Sequence, residues 1–276
     1  MKTKTTRRFV AAAAGVLFAA SLSACSSSSN AAGSCSDTKT KGKLTIATGQ
    51  PAYYPWVIDD KPESGQGFES AVAYAVAAQL GYPKENVQWT RTTFDGAIAP
   101  GDKKFDFNIQ QFSITAARKK AVDFSSAYYT APQAVVSYKG SPIAGVKTLA
   151  GLKHAKLGAA VGTTSLDAVK DQIGATPAVF NDNAAAITAL KNGQIDGLVA
   201  DLPTAFFLSG VDIENGIIVG QLPSTGSGDE FGLLLAKDSP LTKCVSDAVD
   251  SLKSDGTLDR IAGQWLGTDA GAPLLK

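Results

Sequence analysis

Short apolar strands and amphipathic helices alternate along the chain from Lys43 onward, and this alternation limits the fold more than any other feature of the sequence. The clearest helix is Phe68–Leu80, where apolar residues recur at every fourth position and Gly81 ends the pattern. The clearest buried strand is Asp196–Ala200. Alternation of this kind predicts parallel or mixed sheets covered by helices. The length of the region favours two lobes, each with its own core, over a single core.

The remaining predicted elements are shorter, and no internal repeat or coiled coil accompanies them. The predicted strands are Lys43–Thr48, Val87–Arg91, Phe105–Ile109, Ala134–Tyr138, Leu157–Val161, Ala178–Phe180, Ile217–Val219 and Phe231–Leu235. The predicted helices are Phe94–Ala99, Ser165–Ile173, Asn183–Lys191, Leu241–Leu252 and Thr257–Trp265.

Charge and composition argue against several classes of function. The chain has 276 residues, with 26 Lys+Arg against 25 Asp+Glu, and four of the basic residues lie in the first eight positions. The remainder therefore has 22 basic against 25 acidic residues, whereas a nucleic-acid-binding protein needs a basic surface to contact phosphates. One His and three Cys are too few for most zinc sites, and a Ser/His triad would depend on His154 alone. We therefore expect no nucleic-acid partner, no metal and no cofactor.

The N-terminus has the features of an export signal. A cationic leader, Met1–Arg8, precedes the apolar run Phe9–Ala20, which is shorter than the roughly 20 residues that a membrane-spanning helix needs. The following Leu22-Ser23-Ala24-Cys25 resembles the bacterial lipoprotein signal. This resemblance implies cleavage before Cys25, diacylglycerol on its sulfur and a further acyl chain, such as palmitate, on the new N-terminus. The alternative is an ordinary secretory cleavage site with a chance cysteine.

Residues 1–24 are thus predicted to be a lipoprotein signal peptide, and residues 25–40 the lipidated Cys25 and a flexible tether. Two acyl chains would attach the mature protein stably to the outer face of the cell membrane. Two cysteines then remain, Cys35 and Cys244, and outside the cytoplasm they form a plausible disulfide. The alternative is two unpaired thiols.

Two Ser/Thr-rich turns could bind a carboxylate. The first, Gln111–Arg118, follows a predicted strand and offers hydroxyl and backbone N–H donors with a guanidinium one turn along. The second, Val161–Ser165, combines Gly162, which permits close approach of a ligand, with N–H groups at the positive end of a helix. Each turn also has a purely structural interpretation, as a helix cap or an ordinary strand-turn-helix corner.

Other candidate residues are an acid and several aromatic side chains. Asp201 follows a buried strand and could accept an ammonium group, although an ordinary loop acid would look the same. Tyr53, Tyr54, Trp56 and Phe94 lie near strand ends, where aromatic residues can contact a ligand or simply fill the core.

Together, these segments resemble the extracytoplasmic amino-acid-binding proteins of ABC importers, the polar amino-acid family. The most specific match is the run Ser113–Ser125 followed by Tyr128-Tyr129. Weaker landmarks follow the family's order: Gly67–Val72, Phe94–Gly96, Phe105–Phe107, Gly162–Thr164, Asn192–Asp196, Asp255–Thr257 and Trp265. The resemblance extends from Lys43 to Gly267, nearly all of the mature chain.

The resemblance implies an α/β, two-lobed fold of the periplasmic-binding-protein type (type II). Each lobe would be a mixed sheet flanked by helices, and two crossover hinge segments would join the lobes. Lobe 1 would comprise residues 41–132 plus 231–276, and lobe 2 residues 133–230. The implied function is the substrate-binding component of an ABC transporter, a non-enzymatic monomer that closes over an amino acid and delivers it to a membrane permease.

The family's carboxylate-binding positions correspond to four residues of this chain. By this resemblance Arg118 would hold the α-carboxylate of the ligand, and Ser113 would supply a hydroxyl. Thr163 and Thr164 would add backbone donors from lobe 2.

The ammonium-binding and aromatic positions correspond to four more. Asp201 would accept the α-ammonium group, together with the backbone carbonyl of Gln111. Tyr53 and Phe94 would flank the side chain of the ligand.

Three departures from the family pattern bear on ligand choice. Gln50 replaces the acid that members binding basic amino acids carry, Gln110 and Gln111 replace residues that are often small, and Ala160 offers no charge to an acidic side chain. We therefore expect a neutral, polar amino acid. Two alternatives remain open, a sensor module that presents the closed form to a receptor and a dehydratase on the same fold, although no clear catalytic acid is present for the latter.

Overall fold

The computed structural model describes residues 35–224, 230–267 and 272–276, all within the unit Ala32–Lys276. The predicted signal peptide, Cys25 and residues 26–34 of the predicted tether lie outside the described residues. Within the part of the chain that is described, no helix is both long and apolar enough to cross a lipid bilayer.

The described elements alternate as the sequence predicts. The strands are β1 Leu44–Gly49, β2 Val87–Thr92, β3 Phe107–Asn108, β4 Val122–Thr130, β5 Gln133–Tyr138, β6 Leu157–Ala160, β7 Ala178–Phe180, β8 Gly197–Asp201, β9 Gly216–Gln221 and β10 Glu230–Ala236. The helices are α1 Phe68–Gln79, α2 Phe94–Ile98, α3 Leu149–Leu152, α4 Thr164–Ala168, α5 Asn183–Lys191, α6 Leu202–Phe207, α7 Thr242–Ser254 and α8 Thr257–Trp265. Short π-helical turns, Val169–Ile173 and Leu208–Asp212, extend α4 and α6.

The first sheet has the strand order β2-β1-β3-β10-β4 and defines lobe 1. β1 is parallel to β2 and β3, whereas β10 is antiparallel to β3 and β4. One core, around Trp56 and Phe68 and including residues of α1, α7 and α8, is rich in aromatic side chains. A second, smaller core includes Phe105 and Phe112.

The second sheet has the strand order β7-β6-β8-β5-β9 and defines lobe 2. β6 is parallel to β7 and β8, and β5 is antiparallel to β8 and β9. Its two cores are built mainly from Ala, Val, Leu and Ile, one including residues of α5 and α6 and the other residues of α3 and α4. Both sheets are therefore mixed and flanked by helices.

The chain crosses between the sheets through two segments. Ala131 and Pro132 lead from β4 of the first sheet to β5 of the second, and the segment between Gln221 and Glu230 leads from β9 back to β10. The predicted α/β fold of two mixed-sheet lobes joined by two crossovers is confirmed.

The end of the predicted tether contacts lobe 1. Residues 35–40, which the sequence analysis assigned to it, are held against lobe 1: Cys35 forms a disulfide with Cys244 of α7, with a Cα–Cα distance of 5.7 Å. In addition, the backbone N–H of Lys39 donates to the buried carboxylate of Asp106. Lobe 1 therefore includes residues 35–40, six residues that the sequence analysis had assigned to the tether.

The last residues also differ from the expected boundary of lobe 1, which ran to Lys276. Residues 272–276 lie along β9 of lobe 2, where Leu275 donates to the carbonyl of Gln221 and is buried in a lobe 2 core. Leu149 of α3 donates to the carbonyl of Lys276 in turn. Apolar packing of Leu275 and pairing with the edge of β9 place this segment in lobe 2.

Candidate functional site

A cavity of about 220 Å³ lies between the two lobes, at the carboxyl ends of the parallel strands of both sheets. Ligands of open α/β sheets bind in this position, because the loops that follow the strands converge there. The residues that line the cavity are Thr48, Gln50, Pro51, Ala52, Tyr53, Thr93, Phe94, Gln110, Gln111 and Arg118 from lobe 1, and Ala160, Val161, Thr163, Thr164, Ser165, Asn181, Asp182, Asn183, Ala200 and Asp201 from lobe 2. The volume lies just below the range of about 300–1,000 Å³ that is usual for drug-sized ligands, so the cavity fits a smaller molecule.

Arg118 is the cation of the cavity wall and is 8% exposed. Its guanidinium donates to the carbonyl of Ser113 at 2.8 Å and, across the cleft, to the carbonyl of Gly162 at 2.8 Å. It also lies over the ring of Phe94, 5.3 Å from the centroid. Burial lowers the pKa of Arg118 to about 10, and nearby carboxylates act in the opposite direction, so the group stays charged at neutral pH.

The local structure around Arg118 differs from the helix that the sequence suggested. A single 3₁₀ turn, Arg118–Lys120, is followed at once by β4, which begins at Val122. Arg118 is thus fixed by its side-chain contacts and by the start of β4, and no long helix supports it.

A buried carboxylate holds the neighbouring turn. Glu69 of α1 is fully buried and accepts hydrogen bonds from the backbone N–H of Gln111 at 2.7 Å, from the amide of Gln111 and from the hydroxyl of Tyr128. Gln111 adopts a left-handed conformation with φ of 49°, which is uncommon for a residue other than Gly. Burial is the main effect on Glu69 and raises its pKa to about 7, although the hydrogen bonds oppose it.

On lobe 2, two lining residues cap the helices that they precede. Thr163 accepts from the backbone N–H of Leu166 at the start of α4 and donates to the carbonyl of Ala160. Asp182 accepts from the backbone N–H of Ala185 at the start of α5. Both are standard N-cap interactions and fix the loops that end β6 and β7.

The acid of lobe 2 that the sequence selected, Asp201, ends β8 and lines the cavity. Its carboxylate accepts from the side-chain amide of Gln133 at 2.7 Å, and Gln133 in turn accepts from the hydroxyl of Ser165. Because Gln133 is buried at the start of β5, this chain of bonds holds Asp201 near the crossover between the lobes.

The lobes contact each other on several sides of the cavity. Besides the bond from Arg118 to Gly162, the hydroxyls of Ser113 and Thr164 lie 3.0 Å apart. The indole N–H of Trp56 donates to the hydroxyl of Thr204 at 2.8 Å, and both residues are buried. Residues of the cavity wall, Arg118 and Thr164, therefore take part in the contacts between the lobes.

The structure brings most of the predicted site residues to one place. Those that line the cavity are Gln50, Tyr53, Phe94, Gln110, Gln111, Arg118, Thr163, Thr164 and Asp201. Ser113 does not line it: the residue is 1% exposed, pairs with Phe231 of β10 and directs its hydroxyl to Thr164. Contact of the Ser113 hydroxyl with the ligand stays a prediction; in the structure this hydroxyl contacts Thr164 of the other lobe.

The sequence analysis did not include the loop Asn181–Asn183 among the candidate site residues. The available signal was its position directly after β7, since the other lining loops also follow strands of the same parallel set. No group of three His, Cys, Asp or Glu side chains that could hold a metal ion occurs among residues 35–224, 230–267 and 272–276.

The model of one protein family matches residues 44–268, which include both sheets and the cavity. The chain belongs to family 3 of the bacterial extracellular solute-binding proteins. A curated relative, the L-cystine-binding protein TcyJ of Escherichia coli (strain K12), is 28% identical over 235 residues, 84% of this chain and 86% of the relative. The ABC transporter glutamine-binding protein GlnH of Bacillus subtilis (strain 168) is 33% identical over 216 residues, 75% of this chain and 76% of the relative.

The solved structures agree with this membership. An ancestral arginine-binding protein bound to glutamine superposes with a TM-score of 0.69 at 33% identity, covering 83% of this chain and all of that one. The predicted family is therefore confirmed, and the chain is similar to proteins whose names specify different amino acids.

Proposed function

We propose that this protein is the substrate-binding component of an ABC importer and that it binds a free, neutral amino acid between its two lobes. Arg118 would hold the α-carboxylate, with the backbone N–H groups of Thr163 and Thr164 on the opposite side. Asp201 and the carbonyl of Gln111 would accept the α-ammonium group. The closed form would then deliver the ligand to a membrane permease.

The observation that carries this proposal is the presence of a buried cation and an acid in the wall of one small cavity between two lobes. Arg118 and Asp201 come from different lobes, and Asp201 is among the carboxylates whose charge raises the pKa of Arg118. Such a pair complements the opposite charges of a zwitterion, and each is held by hydrogen bonds to the protein. The names of the relatives support the same class of ligand.

Closure follows from the same arrangement. Because each charged end of the ligand would be contacted from both lobes, only the closed form makes all of these contacts, and the ligand shifts the equilibrium toward that form. An affinity in the micromolar range corresponds to about −8 kcal/mol. Charge-assisted hydrogen bonds of about 1.5–3 kcal/mol each can supply a large part of it once water is excluded.

The test is a screen of the twenty amino acids by thermal shift on protein that has been stripped of ligand by unfolding and refolding, followed by calorimetry. We expect saturable binding of at least one neutral amino acid with a one-to-one stoichiometry. Absence of binding to every free amino acid would contradict the proposal. Turnover of prephenate or arogenate would instead indicate a dehydratase, and unimpaired uptake after deletion of the gene would indicate a sensor.

We further propose that Cys25 carries the lipid anchor and that the protein acts as a monomer at the outer face of the cell membrane. Support for the anchor comes from the signal Leu22–Cys25, since the family as a whole is extracellular. Replacing Cys25 with Ala in the full chain should abolish labelling by radioactive palmitate and release the protein from the membrane fraction. Sedimentation of the released protein should give the mass of a monomer.

A further inference from the structure

Beyond Arg118 and Asp201, the cavity wall is rich in side-chain amides. Gln50 and Gln110 line it from lobe 1, and Asn181 and Asn183 from lobe 2. Amides carry no net charge and can both donate and accept hydrogen bonds. The wall is thus polar, and its chemistry goes beyond binding the two charged ends of an amino acid.

Gln110 has an unsatisfied acceptor. Its Oε1 atom is buried and has no hydrogen-bond partner among the described residues. The amide packs against the last residue of β1, since a Cβ added at Gly49 would lie 2.8 Å from Gln110 Nε2. A buried acceptor without a partner costs about 1–3 kcal/mol, so the site gains if a ligand supplies the missing donor.

Tyr53 has an unsatisfied hydroxyl. The oxygen is buried and makes no close hydrogen bond with another described residue. Burial, followed by the charge of Asp182, raises the pKa of Tyr53 to about 12, so the hydroxyl keeps its proton at neutral pH. The backbone N–H of Ala184 acts on the oxygen in the opposite sense, as a donor would. The hydroxyl hydrogen therefore still needs a hydrogen-bond acceptor.

Gln110 and Tyr53 need complementary hydrogen-bond partners. Gln110 Oε1 needs a donor, and the Tyr53 hydroxyl has a hydrogen to give. A carboxamide supplies both a donor and an acceptor, whereas an ammonium or guanidinium group only donates, a carboxylate only accepts and a thioether does neither well.

The charges of the cavity wall also favour an uncharged ligand side chain. Asp182 is the additional acid, but it caps α5 through the N–H of Ala185 at 2.8 Å, and the positive end of the nine-residue helix offsets its charge. Arg118 is the cation among the lining residues, and the proposed function assigns it to the α-carboxylate. An acidic side chain would therefore meet Asp182 and Asp201 with no cation of its own.

We propose that the side chain of the bound amino acid ends in a carboxamide and that Gln110 and Tyr53 are the residues that select it. This inference rests on the proposed function, because it names the ligand class of the same cavity. The carboxamide N–H donates to Gln110 Oε1, and its oxygen accepts from the Tyr53 hydroxyl.

Calorimetry on the ligand-stripped full-length protein tests this inference with glutamine, asparagine, methionine, glutamate, arginine and alanine. Methionine is the sharpest comparison, because it matches glutamine in length and lacks the amide. We expect methionine to bind about 100-fold or more weakly than the better of the two amides, since it would leave both Gln110 and Tyr53 unpaired. Glutamate and arginine should also bind more weakly than that amide.

Variants assign the selection to particular side chains. Gln110→Met should weaken binding of the better amide about 10-fold to 100-fold and leave the affinity for alanine unchanged. Tyr53→Phe should act in the same direction. Gln79→Met, on the exposed end of α1, is the matched control and should change neither affinity. Thermal unfolding of each variant checks that the fold is intact.

The outcomes separate this inference from the proposed function. Tightest binding of arginine, glutamate or methionine overturns the carboxamide assignment and leaves amino-acid capture standing, as does equal loss of alanine and amide affinity in Gln110→Met. Saturable binding of no amino acid overturns both proposals.

Discussion

The two walls of the cavity are held in place in different ways. On lobe 1, Glu69 accepts a hydrogen bond from Gln111, 42 positions away in the sequence, and another from Tyr128, 59 positions away. On lobe 2, Thr163 and Asp182 bind backbone N–H groups only three positions further along. The lobe 1 wall thus depends on the assembled core, whereas much of the lobe 2 wall forms locally with its helices. Changes on lobe 1 should therefore affect stability and binding together, and changes in lobe 2 loops should act mainly on closure.

The largest effect is expected at Arg118, where the lobe 1 wall meets the ligand. Arg118→Ala should cost about 2–5 kcal/mol of amino-acid binding, because it leaves a desolvated carboxylate without its cation. Calorimetry of the ligand-stripped variant measures this loss. Arg260→Ala, at an exposed position of α8, is the matched control and should bind like the wild type. Affinity within about twofold of the wild type for Arg118→Ala would contradict its assigned role.

Removal of the disulfide should lower the stability of lobe 1 while leaving ligand binding almost unchanged. Replacing Cys35 and Cys244 together with Ser should lower the free energy of unfolding by about 2–5 kcal/mol, because the bond restricts the unfolded chain. Neither cysteine lines the cavity, so the affinity should hardly change. Urea unfolding and calorimetry on the same samples measure both quantities. A large loss of affinity in the folded variant would show that the lobe 1 wall depends on the N-terminal segment.

Glu69 should make the stability of lobe 1 depend on pH. Its pKa in the folded protein is raised from 4.5 to about 7, so its contribution to stability is complete below pH 4.5 and is lost as the pH rises to 7. One proton accounts for at most about 1.4 kcal/mol per pH unit within that window. Urea unfolding of the wild type and Glu69→Gln from pH 4.5 to 8 isolates the contribution. Identical slopes for the two proteins would mean that Glu69 is not protonated on folding.

A substitution at Gly162 of lobe 2 should show whether the lobes contact each other at this position when they close. A side chain at this position would overlap the carboxylate of Asp95 on lobe 1, so Gly162→Ala should lower the affinity by about 1–2 kcal/mol. Gly174→Ala is a close control, because Gly162 and Gly174 have φ of 72° and 71° and nothing lies within 4 Å of the added atom at Gly174. Both variants should lose stability, and only Gly162→Ala should lose affinity. Equal affinities would argue against contact of the lobes at this point during binding.

Much of the fold could be predicted from the sequence, because each lobe alternates strand and helix and the run Ser113–Ser125 is specific. The same run concealed β4, which was not predicted as a strand. Its sequence, Val122–Thr130, mixes buried and half-exposed polar and aromatic residues, and it pairs with residues of β10 that are a hundred or more positions away. Such long-range pairing leaves little signal in the local pattern.

The difference between local patterns and long-range contacts also explains which site residues the sequence revealed. Arg118 and Asp201 could be selected because charge near strand ends is visible locally. The burial of Ser113 could not be predicted, since Ser113 pairs with Phe231 in a strand that is distant in the sequence. Glu69 was read as a landmark only, because its bonds to Gln111 and Tyr128 exist only after folding.

The opposite attachments of the two ends of the described chain have a practical consequence. Cys35 is fastened to α7 in lobe 1, whereas Leu275 is buried in lobe 2. Fluorophores attached near these two points would move with different lobes. Energy transfer between them would therefore report hinge movement in real time without a label near the cavity.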